Sequence, residues 1–137
     1  QKHITKNIKK VRIHSSGDFF SGEYLRSWLA VARLNPHLKF YCYSKSLHLF
    51  GTNISIPENF FLTASMGGLR DDLIHKGFFK RYAIVVNSEA EAIKKGIEHR
   101  GKPYKIDKDD SLCFQSDPFA LLIHGTQKKG YFKNLKK

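Results

Sequence analysis

The sequence predicts an α/β fold: a mostly parallel sheet of about five strands with flanking helices, compatible with a partial (half) barrel. Two observations carry this. Five short apolar runs alternate with segments of helical periodicity. Two of those runs, "YAIVV" at 82–86 and "FALLI" at 119–123, are apolar without alternation, as in strands buried on both faces of a helix-covered parallel sheet. At 137 residues the chain suits a single α/β domain spanning 1–137, with basic ends at 1–10 and 128–137.

The first strand is expected over Val11–His14. A helix follows in "SGEYLRSWLAVARLNP", where Tyr24, Leu25, Trp28, Leu29 and Ala32 recur at three- and four-residue spacing. Ser21 suits its N-cap, and Asn35-Pro36 forces its end. Strands are expected at Lys39–Tyr43 and Asn59–Ala64, then a short helix in "LRDDLIHKGF" that ends near Gly77. After the strand Tyr82–Val86, "SEAEAIKKGIEHRG" carries a capping box, Ser88 with Glu91, and Gly101 suits the C-terminal cap. Ile93 and Ile97 share one face of this helix. The polar segment 101–118 reads as a surface linker, and Phe119–Ile123 as the last strand.

The charge is uneven. The net +12 is concentrated in two ends free of acids: Lys2, Lys6, Lys9, Lys10 and Arg12 at one, Lys128, Lys129, Lys133, Lys136 and Lys137 at the other. Such ends attract polyanions, nucleic acid first among them; solvated, solubilising tails are the plain alternative. Two cysteines, Cys42 and Cys113, stand far apart without C-x-x-C spacing, which suggests reduced thiols in a cytoplasmic protein and no disulfide framework or metal site. No apolar run reaches the roughly 18–20 residues that span a bilayer, and no apolar stretch follows the basic first ten residues as in a signal peptide. A membrane partner is therefore not expected.

Each strand ends in small, hydroxylated, amide or ionisable residues. These are His14-Ser15-Ser16-Gly17-Asp18, Ser44-Lys45-Ser46, Ser65-Met66-Gly67-Gly68, Asn87-Ser88 and His124-Gly125. In parallel α/β folds the C-terminal strand ends share one edge, where ligands bind. The expected ligand-binding residues are His14, Ser16, Gly17, Asp18, Ser44, Lys45, Ser65, Gly67, Gly68, Asn87, His124 and Gly125; the same residue types also make ordinary turns and caps. Asp18 suits a general base or cation ligand, or a carboxylate that ties its own turn. Lys45 suits a phosphate or carboxylate. His14 and His124 suit a proton-transfer pair or structural roles. "SMGG" is only loosely a phosphate-cradling turn, and neither G-x-x-x-x-G-K-[ST] nor G-x-G-x-x-G occurs. Expected nucleic-acid contacts are Lys6, Lys9, Lys10, Arg12, Lys128, Lys129 and Lys133. Most aromatics fall within strand and helix patterns and read as core; Phe19-Phe20 and Phe78-Phe79, beside turns, are the exceptions.

The string "RIHSSGDFFSGEYLRSWLAVARLNPHLKFYCYSKSL" resembles the gene product 88 family of phages and mobile elements. The shared pattern is an arginine–hydrophobic strand, a "GDF" turn, a helix with a Tyr and a Trp, then "NP" and "YSKSL". The terminal "FALLIHGTQKKG" is similar to the family's closing strand. Longer members carry cysteine-rich segments upstream of the GDF turn and, in some, near the final strand. The resemblance therefore implies an iron–sulfur or radical-SAM-like partial barrel. This sequence departs there, since two distant cysteines cannot hold a cluster that normally takes three or four thiolates.

Three functional readings remain open. One is a phage or mobile-element binding module for nucleic acid or a phosphate ligand, acting through the basic ends and the sheet edge. Another is a truncated or remnant radical-SAM-like enzyme domain in which Asp18, Lys45 and His124 position a cofactor or substrate. The third is an assembly protein contacting an acidic protein partner. The residues name no cofactor and no reaction.

Overall fold

The computed structural model describes residues 9–14, 18–51 and 54–123. They form two compact units, one running to Phe79 and the other starting at Lys80. The expected His14–His124 pair and the candidates Ser16, Gly17, Gly125, Lys6, Lys128, Lys129 and Lys133 involve positions outside the described residues.

In the first unit, β1 (Lys10–Arg12), β2 (Lys39–Ser44) and β3 (Phe60–Ser65) are parallel, with β2 in the middle. β1 is shorter than predicted and shifted back by a residue, because His14 adopts φ 66° and turns the chain away. Helix α1 (Gly22–Leu34) connects β1 to β2. The Ser21 side chain accepts from the Tyr24 N–H at 3.1 Å, as an N-cap should.

The end of α1 is held from a distance. Asn35 closes onto Ala32, and the Asn59 amide nitrogen lies 2.8, 3.0 and 2.9 Å from the carbonyl oxygens of Ala32, Asn35 and Leu38. Three carbonyls near the helix end thus receive a side-chain donor instead of water. Leu25, Leu29 and Ala32 bury one stripe of α1 against Ile13, Phe40, Cys42 and Phe60. Each fully buried Leu or Phe contributes roughly 1.5–3 kcal/mol. A 3₁₀ turn (Leu47–Leu49) and helix α2 (Asp71–His75) complete the unit.

In the second unit, β4 (Tyr82–Val86), β5 (Lys105–Ile106) and β6 (Phe119–Leu122) are parallel, with β6 central. Helix α3 (Glu89–Arg100) follows β4, capped by the Ser88 hydroxyl on Glu91 N–H and ended by Gly101 at φ 76°. Glu91 reaches back one residue further than a capping box, to the Asn87 N–H at 2.5 Å.

The parallel α/β class is the one predicted, with six strands instead of about five. Two expectations need correction, and a third holds with an addition. Segment 101–118 is no plain surface linker: it supplies β5 and a 3₁₀ turn (Ser111–Phe114), and it buries Tyr104, Asp107 and Cys113. Ile93 and Ile97 do share a face, but that face is half exposed, and α3 packs through Ala92 and Gly96. The run "YAIVV" is not buried on both sides, since Val85 is 51% exposed.

Candidate functional site

Because β1, β2 and β3 are parallel, their C-terminal ends meet along one edge of the first unit. His14, Ser44, Lys45, Ser65, Gly67 and Gly68 all follow or close these strands there. His14 Nε2 lies 2.7 Å from the Tyr24 hydroxyl, and its ring sits edge-on to Phe19 at 4.8 Å. Its Nδ1 is buried with no hydrogen-bond partner among the described residues.

Asp18 ties two strand ends together. Its Oδ1 accepts from the Phe19 N–H and the Ser44 hydroxyl, both at 2.7 Å, and its Oδ2 from the Lys45 N–H at 2.8 Å. Ser44 Oγ in turn accepts from the Ser46 N–H at 3.0 Å, and the Ser46 hydroxyl donates to the Phe19 carbonyl at 2.8 Å. A carboxylate that receives three donors from its own chain acts as a brace.

The glycine turn does cradle an anion, but its own. Gly67 N–H and Gly68 N–H both point at the Asp71 carboxylate, at 2.9 and 3.0 Å, with Gly67 at φ 108° where a side chain would be strained. The Lys45 side chain passes over these glycines: a Cβ on Gly68 would stand 3.0 Å from Lys45 Cβ. The backbone N–H groups of Lys45, Ser46, Gly67 and Gly68 are thus occupied from within, whereas the exposed Lys45 ammonium makes no ion pair among the described residues. Asn87 belongs to the second unit, after β4, and its N–H is taken by Glu91.

Lys9, Lys10 and Arg12 are exposed, and the register adds residues that sequence reasoning missed. Lys10 faces Lys39, and Arg12 faces Tyr41. Arg12 also lies over the Tyr43 ring, 5.3 Å from its centroid. Val11, Phe40 and Cys42 face α1, so Lys10, Arg12, Lys39, Tyr41 and Tyr43 share the opposite face of the sheet. The signal was the period-two alternation in "KFYCYS", where every second residue belongs to the core.

Of the aromatics beside turns, Phe19 is core, while Phe20 and Phe78 are exposed. Phe78 and Phe79 join Leu47, Phe50 and Leu73 around a cleft of about 480 Å³ in the first unit, with His48 and Arg70 also in its wall. The Arg70 guanidinium is engaged by Asp72 at 3.0 and 3.1 Å. Hydrogen bonding from Arg70 in turn holds the Asp72 carboxyl below its usual range.

In the second unit the buried Tyr104 hydroxyl lies between Tyr82 Oη at 2.8 Å and His99 Nδ1 at 2.9 Å; burial pushes its phenol upward. Asp107, Asp110 and Cys113 bring their ligand-type atoms within 4.8 Å of one another. Asp107 is tied to the loop by the N–H groups of Asp109 and Leu112, each at 3.3 Å, and burial raises its carboxyl. Cys42 faces α1 and is wholly buried.

No helix among the described residues is long and apolar enough to cross a membrane. No curated protein and no solved structure matches the chain. The family model for gene product 88 matches residues 1–137, and the chain belongs to that family.

Proposed function

We propose that the chain is a phage or mobile-element module that binds nucleic acid, and that the sheet face of Lys10, Arg12, Lys39, Tyr41 and Tyr43 receives a single strand. The observation that carries this reading is the register of β1 on β2, which sets Lys10 directly beside Lys39 with Arg12 stacked over Tyr43. Two lysines side by side on neighbouring strands concentrate positive charge on this face, the charge that attracts a phosphate backbone. Half-buried tyrosines on the same face offer π surfaces to unpaired bases, the combination used by sheet platforms for single strands. Lys45, at the C-terminal edge of the same unit, supplies a further cation for the backbone.

The test is binding of the whole chain to labelled single- and double-stranded DNA and RNA over a salt series. Affinity for single strands should fall steeply with salt. Lys10→Gln/Lys39→Gln should reduce the log–log salt slope on single strands by about 1.4, about 0.7 for each phosphate left without its lysine. Tyr43→Leu should weaken single-strand binding by roughly 1–3 kcal/mol. Binding that ignores salt, or that both variants leave unchanged, overturns the reading.

A further inference from the structure

We propose that the second unit contains a pocket for a phosphoryl group, formed by Arg100, Lys102 and Lys105 where α3 turns into β5. It lies outside the strand face invoked above and does not rest on that reading. Helix α3 ends at Arg100, and Gly101 in the left-handed region reverses the chain. The return is pulled tight against the helix: Tyr104 N–H donates to the Ala92 carbonyl at 3.3 Å, and Gly96 leaves no room for a Cβ beside Lys102 and Tyr104. This brings Lys102 and Lys105 beside Arg100 around one pocket of about 120 Å³.

Arg100 is already positioned. Its Nη1 donates to the Pro103 carbonyl at 2.8 Å, and its guanidinium lies over the Tyr104 ring, 5.4 Å from the centroid. The exposed ammonium groups of Lys102 and Lys105 make no ion pair or hydrogen bond among the described residues. Three cations therefore meet one acid in the pocket wall, Asp117. The excess of two positive charges matches a phosphoryl dianion. The negative end of the α3 dipole opposes an anion with only about half an elementary charge. The pocket has room for one tetrahedral oxyanion and opens to solvent, so whatever the phosphoryl group is attached to can remain outside. Free phosphate and the terminal phosphate of a nucleotide or strand share this chemistry.

The experiment follows the backbone amide resonances of Gly101, Lys102, Tyr104 and Lys105 in the whole chain. The probes are inorganic phosphate, a 5′-phosphorylated dinucleotide and its unphosphorylated counterpart, at ionic strength held constant with chloride. Saturable shifts with phosphate and with the phosphorylated dinucleotide assign the pocket to any accessible phosphoryl group. Shifts with the phosphorylated dinucleotide alone assign it to a strand or nucleotide terminus. In either case Lys102→Gln/Lys105→Gln should weaken binding at least tenfold; the single Lys102→Gln, in an exposed turn, should weaken it in the same direction and guards against a folding defect in the double variant. No saturable shift with either phosphate probe overturns the proposal. So does equal binding of the unphosphorylated dinucleotide, or undiminished binding by the variants.

Discussion

The Asp18 carboxylate accepts from Phe19, Ser44 and Lys45, and Ser46 completes the tie by donating to the Phe19 carbonyl. An asparagine would fit the space, but its single carbonyl oxygen cannot serve donors on both sides, and its NH₂ would face one of them. Asp18→Asn should therefore cost about 2 kcal/mol, the scale of a hydrogen bond to a charged group. The check is urea denaturation, with a lower midpoint at an unchanged slope. Unaltered stability would return Asp18 to the role of base or ligand. The sequence placed Asp18 at a strand end, but its partners at the end of β2 and just beyond it, Ser44 and Lys45, lie 26 and 27 residues away and only the fold supplies them. Lys45 was legible as an edge cation. The occupation of Gly67 and Gly68 by Asp71 spans only four residues, yet a glycine turn by itself does not say which anion fills it.

Among the elements, α3 separates local from distant causes most clearly. Its start at Ser88 and its stop at Gly101 follow from capping chemistry within a turn of each end. Its buried face does not follow from hydrophobicity, for Ile93 and Ile97 are half exposed while Ala92 and Gly96 are covered. The reason is distance: a Cβ on Gly96 would meet Lys102 O and Tyr104 N at 2.5 Å and Pro103 C at 2.6 Å. Gly96→Ala gains about 1 kcal/mol of helix propensity but overpacks a close backbone approach, at a cost of roughly 1–3 kcal/mol. The net change should be destabilising, measured as a lower denaturation midpoint; a rise would show that the segment after Gly101 yields easily. Small residues four apart, Ala92 and Gly96, were the available sign of this packing.

At the scale of the whole molecule, the charge of +12 acts against compactness as well as in favour of polyanions. Raising monovalent salt from about 0.01 to 0.15 M shortens the screening length from about 30 to 8 Å. That should raise the Tm of the free chain while weakening its hold on nucleic acid, two opposite responses to one variable. Calorimetry and the binding series in the same buffers check both. A Tm indifferent to salt would mean that the basic groups are too far apart to repel one another.

The sequence by itself determined the α/β class, the parallel strands, the starts and stops of α1 and α3, and the gathering of polar residues at strand ends. Each of these rests on interactions a few residues long: caps, proline and glycine breaks, and the lengths of apolar runs. Only the tertiary structure decided which runs are buried, as Val85 and Tyr104 show in opposite directions. It alone set Lys10 beside Lys39, and Lys102 and Lys105 beside Arg100. Burial and register are settled by contacts between segments distant along the chain. A local pattern such as the alternation in "KFYCYS" marks a face but does not say which segment covers it or lies beside it.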